Sequence, residues 1–186
     1  MKLRIIGGNY KGRKLQTVQG KRTRPTADRV RESIFDILGD RVSEAMVLDL
    51  FAGTGALGIE ALSRGADSAV FIDHSETANL MLQKSIHSCA VQDKTKVIKW
   101  DIVKNLNCIY TLKPQFDLVF MDPPYNEKKI KPALLNLQQS RSLIKGADII
   151  IEHSVSEPIY ENSSIFKLID QRRYGKTLVS FLNFMI

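Results

Sequence analysis

An apolar run, VLDLF (47–51), leads directly into the turn Gly53-Thr54-Gly55-Ala56-Leu57-Gly58, and the helical pattern ALGIEALSRG (56–65) opens from that turn and closes at Gly65. A buried strand feeding a helix through a glycine-rich turn returns to a parallel neighbour, so this junction argues against helical bundles and purely antiparallel folds. The pattern then repeats. AVFID (69–73) reads as a second strand, with a helix from Ser75 to Cys89 behind it. KVIKW (96–100) is a third strand and FDLVFMD (116–122) a fourth, followed by a helix beginning near Pro132; DIIIE (148–152) is a fifth. Near-continuous apolar strands alternating with helices imply a parallel sheet covered on both faces. The last two strands, IFKLID (165–170) and TLVSFLNFMI (177–186), are joined by QRRYGK without a helix, which fits an antiparallel hairpin at the sheet edge. The predicted fold is α/β and Rossmann-like, a doubly wound, mostly parallel seven-stranded sheet with a C-terminal antiparallel hairpin. At 186 residues and 44% hydrophobic, the chain has enough apolar material for one such core.

The charge is unevenly placed. Residues 1–31 hold ten Lys or Arg against Asp28 alone, whereas the remainder carries 17 basic and 19 acidic side chains. All of the net charge of +7 therefore originates in the first sixth of the chain, the pattern of an electrostatic footprint for a polyanion. A helix is predicted within TADRVRESIFDILG, capped by Thr26 or Asp28 and stopped by Gly39, with Val30, Ile34, Ile37 and Leu38 on one face. Residues 1–40 thus read as a basic arm and helix annexed to a main domain over 41–186, a solvated tail or a footprint for nucleic acid or, less favoured by charge, an anionic membrane surface. Arg22, Arg24, Arg29 and Arg31 are the expected phosphate contacts, with the Arg172-Arg173-Lys176 turn as a second candidate. No run approaches the ~18 apolar residues of a membrane helix, and MKLRIIGG lacks a cleavable leader, so a soluble cytoplasmic protein without membrane association is expected. Cys89 and Cys108 have no paired spacing, and no metal-ligand pattern is present.

The glycine turn matches the dinucleotide fingerprint G-x-G-x-x-G, with Asp73 lying 20 residues past Gly53 at the end of the second strand. Asp49 argues for a different ligand. A carboxylate four residues before the first glycine would repel a pyrophosphate but attract an ammonium or sulfonium. A cofactor with cationic groups and a ribose, S-adenosylmethionine, suits Asp49 and Asp73 better. Gly53 and Gly55 would let the backbone approach it closely. Asp101, after the third strand, could accept a hydrogen bond from the adenine amine. All three acids lie at carboxyl ends of strands, where open parallel sheets bind ligands.

At the fourth strand end stands Asp122-Pro123-Pro124-Tyr125. Two prolines fix φ twice and remove two backbone donors, leaving a rigid turn rich in acceptors. An exocyclic amine on a nucleobase is a poor nucleophile because its lone pair is delocalised. Acceptors on its hydrogens, supplied by Asp122 and the Pro123 carbonyl, favour the localised form that resembles the transition state. Tyr125 offers a face on which a flipped or unpaired base can stack.

Several stretches together resemble the RsmD-type 16S rRNA guanine-N2 methyltransferases of the class I S-adenosylmethionine-dependent superfamily. These are RIIGGNYKGRKL (4–15), TRPTADRVRESIFDIL (23–38), VLDLFAGTGALGIEALSRGA (47–66), FDLVFMDPPY (116–125), IIIEH (149–153) and YGKT (174–177). The resemblance implies methylation of the N2 amine of one guanine in 16S rRNA of the small ribosomal subunit, by a monomer acting on the subunit or its assembly intermediate. It assigns Asp49, Ala52, Gly53 and Gly55 to the methionine side of the cofactor, Asp73 to the ribose and Asp101 to the adenine. Asp122, Pro123 and Tyr125 would hold the guanine. Asp73 stands where many relatives carry Glu, and the shorter acid still reaches a hydroxyl. The alternatives are a DNA adenine-N6 methyltransferase, for which 186 residues leave no separate DNA-recognition domain, a catalytically silent RNA-binding assembly factor, and an NAD-type dehydrogenase.

Overall fold

A computed structural model describes residues 3–17, 25–110, 115–159 and 164–186, with residues 25–27 by backbone alone. Seven strands form one sheet in the order β3-β2-β1-β4-β5-β7-β6. In chain order they are β1 (Met46–Leu50), β2 (Ser68–Asp73), β3 (Thr95–Lys99), β4 (Phe116–Met121), β5 (Leu143–Ser154), β6 (Phe166–Tyr174) and β7 (Thr177–Phe184). The first five pair in parallel, and β7 runs antiparallel to both β5 and β6. The helices are α1 (Pro25–Leu38), α2 (Ala56–Ser63), α3 (Glu76–Cys89), α4 (Asn107–Tyr110) and α5 (Ile130–Gln139).

Strand alternation divides the interior into two cores. Val47, Phe71, Leu118, Phe120, Ile150, Val179 and Phe181 pack on the face that receives α1, α2 and α3. Their neighbours Leu48, Ile72, Val119, Met121, Ile149, Ile151 and Leu182 pack on the opposite face with α4 and α5. A period of two with both phases apolar explains why these strands read as unbroken hydrophobic runs.

The N-terminal segment is folded rather than a tail. Leu15 donates its amide to Leu3 O, Ile5 to Arg13 O and Gly12 to Ile5 O, each at 2.9 Å, closing a hairpin whose Leu3, Ile5 and Leu15 enter the α1–α3 core. It docks on α2. Gly8, at φ +72°, lies so close that a Cβ would stand 1.8 Å from the Ser63 carbonyl oxygen. The Ser63 hydroxyl donates to Gly7 O at 2.6 Å and accepts the Tyr10 amide at 2.9 Å.

Beneath this hairpin lies Glu60, 0% exposed. It accepts the amides of Ile6 and Gly7, each at 2.8 Å, and the Arg64 Nε–H at 2.9 Å, with Arg31 Nε 3.6 Å away. One carboxylate therefore joins the hairpin, α1 and α2.

Some boundaries differ from the sequence expectation. β5 begins at Leu143, not at 148, because an irregularity in the β4–β5 register lets Leu143 pair with Phe116 before Asp148 pairs with Leu118. Lys145 and Gly146 hide this first half in the sequence. β6 continues through Gln171-Arg172-Arg173-Tyr174, leaving Gly175 (φ +63°) and Lys176 as the turn. As the edge strand, β6 tolerates the charges that made this stretch read as a loop. α5 starts at Ile130, with Pro132 inside its first turn, where amides lack helical partners anyway.

α1 descends along the sheet from the carboxyl-end rim. The Ser33 hydroxyl bonds the Tyr174 hydroxyl near that rim, Phe35 stacks 5.5 Å from Phe120, and Arg41 beyond the helix pairs with Asp148 at 2.7 Å. The middle of α1, at Ser33, thus lies beside the end of β6.

Candidate active site

The carboxyl ends of β1, β2, β3 and β4 carry the predicted acids along one rim of the sheet. The loop after β1 is tightly wound, with Phe51, Gly53 and Gly55 all at positive φ. Its glycines serve different ends. At Gly53 a Cβ would meet only the Phe51 carbonyl oxygen, 3.9 Å away, so the backbone here faces open space. At Gly55 a Cβ would sit 2.3 Å from Leu82, and at Gly58 it would sit 2.3 Å from Phe71. Gly55 was expected to admit a ligand, but its bare face is filled by α3. Packing accounts for both later glycines.

Asp49 is 2% exposed and accepts the Gly58 amide at 2.9 Å, tying β1 to the first turn of α2. Burial raises its pKa to about 7, helped by the nearby Asp73 charge and opposed by the Gly58 bond. Asp73 is buried and anchors the loop with both oxygens, accepting the Gly53 and Ser75 amides at 2.8 Å each. A carboxylate oxygen has two lone pairs, so each can still take a ligand hydroxyl. Ala52, half-buried between these acids, donates its amide to Ile72 O at 3.1 Å. Asp101 is exposed, accepts the Val103 amide at 3.1 Å, and lines a cleft of about 530 Å³ with His74, Lys99, Trp100, Lys104 and Asn105. The Trp100 amide reaches the Asp73 carbonyl at 3.2 Å, joining the two strand ends.

Asp122 is exposed at the end of β4, Pro123 is buried, and Tyr125 is 41% exposed. The Tyr125 hydroxyl donates to Glu152 Oε1 at 2.6 Å and lies 3.1 Å from Thr177 Oγ1. Burial and the adjoining Glu152 carboxylate push the phenol above its ordinary pKa, with Asp122 adding to the rise. Burial also raises the Glu152 carboxyl, against the bond from Tyr125. The next residue, Asn126, donates its amide to Glu157 Oε2 at 3.0 Å and accepts the Ser156 hydroxyl at 2.6 Å. The tetrapeptide is thus clasped by the ends of β5 and β7.

Neither Glu152 nor Thr177 was singled out as a site residue in the sequence. The signal existed for Glu152, because an acid ending an apolar run is the pattern that marked Asp73 and Asp122.

The predicted phosphate contacts separate. Arg22 and Arg24 lie outside the described residues. Arg29 is exposed on α1. Arg31 is not a surface contact: it is 5% exposed, donates to Arg4 O at 2.7 Å and pairs with Asp28 at 3.2 Å. The 3.6 repeat places Arg31, one position after buried Val30, toward the core. Arg172 is held by Asp170 at 2.9 Å, whereas Arg173 and Lys176 have no ion pair among the described residues. No group of three or more His, Cys, Asp or Glu among the described residues could hold a metal ion, and no helix among them is long and apolar enough to cross a membrane.

Comparison with known proteins bears on this arrangement. A Bacillus subtilis protein named as a candidate rRNA methyltransferase is 34% identical over 178 residues, covering 96% of this chain and 97% of its own. A Haemophilus influenzae protein named ribosomal RNA small subunit methyltransferase D is 33% identical over 168 residues, covering 89% and 86%. A solved Escherichia coli structure described as a candidate methyltransferase superposes with a TM-score of 0.86 at 27% identity, covering 100% of this chain and 99% of that one. The family described as conserved hypothetical protein 95 matches residues 3–183. The chain belongs to that family, together with the ribosomal RNA small subunit methyltransferase D proteins.

Proposed function

We propose that this protein transfers a methyl group from S-adenosylmethionine to the N2 amine of one guanine in 16S rRNA, within the small subunit or its assembly intermediate. The observation that carries the reading is the clasped Asp122-Pro123-Pro124-Tyr125 turn, set on the same rim as the other acids. Gly53 leaves its side of the rim open, and the Asp73 carboxylate stands beside it, which fits a cationic donor. Asp49, Ala52 and Gly53 would hold the methionine side, Asp73 the ribose and Asp101 the adenine. Gly55 contributes through the loop's shape. The bound donor supplies an electrophilic methyl group. Asp122 and the Pro123 carbonyl would accept hydrogen bonds from the two N2 hydrogens, localising the lone pair, and Asp122 would receive the proton that the methyl group replaces. Tyr125 provides the stacking face.

A basic rim leads to this turn. Ser33 on α1 bonds Tyr174, Tyr174 pairs with Thr177, and Thr177 touches Tyr125, so Arg29 and the Arg173–Lys176 turn flank one surface. RNA phosphates bound there would bring a base to Tyr125. Neutralising Arg24 and Arg29 together is expected to weaken RNA binding and to reduce the slope of log affinity against log salt by about 1.4 for single-stranded contacts, as read from filter binding at several salt concentrations.

Asp49 gives a further expectation. Its folded pKa of about 7 lies above the unfolded value, so the folded state holds the proton longer. Stability contributed by this group is present at low pH and is lost as pH rises through about 4 to 7. Asp49→Asn is expected to flatten that decline, because the amide oxygen still accepts the Gly58 N–H. Melting temperatures measured from pH 5 to 8 check it: parallel curves for the two proteins would refute the assignment.

The function itself is tested by supplying radiolabelled S-adenosylmethionine with small-subunit particles, naked 16S rRNA or duplex DNA. Label in the particles or the rRNA is expected, whereas label confined to DNA would favour adenine-N6 chemistry and overturn the reading.

A further inference from the structure

The acceptors around Tyr125 exceed what an amine alone requires. Asp122 and the Pro123 carbonyl suffice for the two hydrogens of an exocyclic NH₂. Glu152 adds a second carboxylate at the hydroxyl end of the Tyr125 ring. Only its Oε1 is used, by Tyr125, and Oε2 has no hydrogen-bond partner among the described residues. Glu152 is itself only partly buried, so its side chain retains contact with solvent. The carboxylate is held in place by its bond to Tyr125 and by its position in β5, opposite Val179 of β7. The result is an oriented acceptor at a site where two prolines have already removed the backbone donors.

Nucleobases differ in what stands beside the reactive amine. Guanine places the N1–H donor next to its N2 amine, giving a continuous donor edge. Adenine and cytosine place a ring nitrogen acceptor next to theirs, which a carboxylate repels. Resting on the methylation reading above, we infer that Glu152 is the specificity-determining residue, its free carboxylate oxygen accepting guanine N1–H while Asp122 and Pro123 accept from N2. Sites built to hydrogen-bond a substrate group reject analogues lacking it, because the protein's own polar atom is then left unpaired.

The test replaces the base without adding bulk. The methylated nucleotide is first located by mass spectrometry of the wild-type product. Particles are then reconstituted with guanosine or 2-aminopurine riboside at that position; the latter keeps the 2-amine but has an acceptor at N1. Wild-type protein is expected to prefer guanosine by on the order of 10- to 100-fold in kcat/KM. Glu152→Gln keeps an oxygen for Tyr125 and turns the second acceptor into a donor, so the preference is expected to vanish or invert. Glu152→Asp, still an acceptor, is expected to retain it at lower rate. Equal use of both bases by the wild type, or an undiminished guanosine preference in Glu152→Gln, would overturn the assignment and leave the methylation reading standing. No transfer by the wild type to any particle would overturn the methylation reading, and the role of Glu152 with it.

Discussion

Replacing Asp122 by alanine is expected to lower kcat for methyl transfer by on the order of 100- to 1000-fold, while the affinity for S-adenosylmethionine is kept. The effect follows from where the charge is needed. As the N2 lone pair moves to the incoming methyl group, positive charge grows on the nitrogen and its hydrogens become stronger donors. An acceptor fixed at those hydrogens stabilises the transition state more than the ground state, so its loss falls on kcat rather than on binding. Asp122 is exposed at the end of β4, outside the Asp49–Asp73 loop that would hold the donor, so the two functions are separable. Asp122→Asn should lose most of the same rate, because one of its two acceptor oxygens becomes a donor. Single-turnover rates alongside calorimetric donor affinities check this. Unchanged kcat in Asp122→Ala would remove the carboxylate from the chemistry.

The second large effect is structural. Glu60→Ala strips the partner from the Ile6 and Gly7 amides and from Arg64, and leaves buried Arg31 with its nearest remaining carboxylate at Asp28. Desolvation already lowers the Arg31 pKa, with the Glu60 charge the largest opposing influence. Breaking a buried ion pair from one side typically destabilises by about 3–5 kcal/mol. For a chain of this size that corresponds to a fall in Tm of roughly 6–20 °C. Glu60→Gln should fall less, since it still accepts one amide. Hydrogen exchange should rise first at Ile6 and Gly7, which rely on this side chain alone. A fall of less than about 3 °C in Glu60→Ala would show that the hairpin is held by its apolar contacts and by Ser63.

The sheet was legible because its strands are buried on both faces, and a run such as FDLVFM leaves little else for the chain to be. The acids at the strand ends were legible too, since a charge terminating an apolar run has few structural roles. Contacts between residues distant in sequence were not. Glu60 sits within an ordinary helical stretch, and nothing local announces that residues 6, 7, 31 and 64 converge on it. Arg31 looked like one more basic residue in a basic arm, although its spacing from Val30 and Ile34 put it near the core. The Tyr125 clasp escaped notice because its partners lie 27 and 52 residues away. The first half of β5 was hidden because its pairing with β4 shifts register between Phe116 and Leu118.

The order β5-β7-β6 has a consequence for synthesis. β7 is translated after β6 yet lies between β6 and β5, so a growing chain has no berth for β6 until its successor has left the ribosome. Thr177 opens that late strand and touches Tyr125. The platform for the target base therefore acquires its last support only when this stretch has threaded home, and a nascent chain halted earlier would hold every acid of the rim without a competent catalyst.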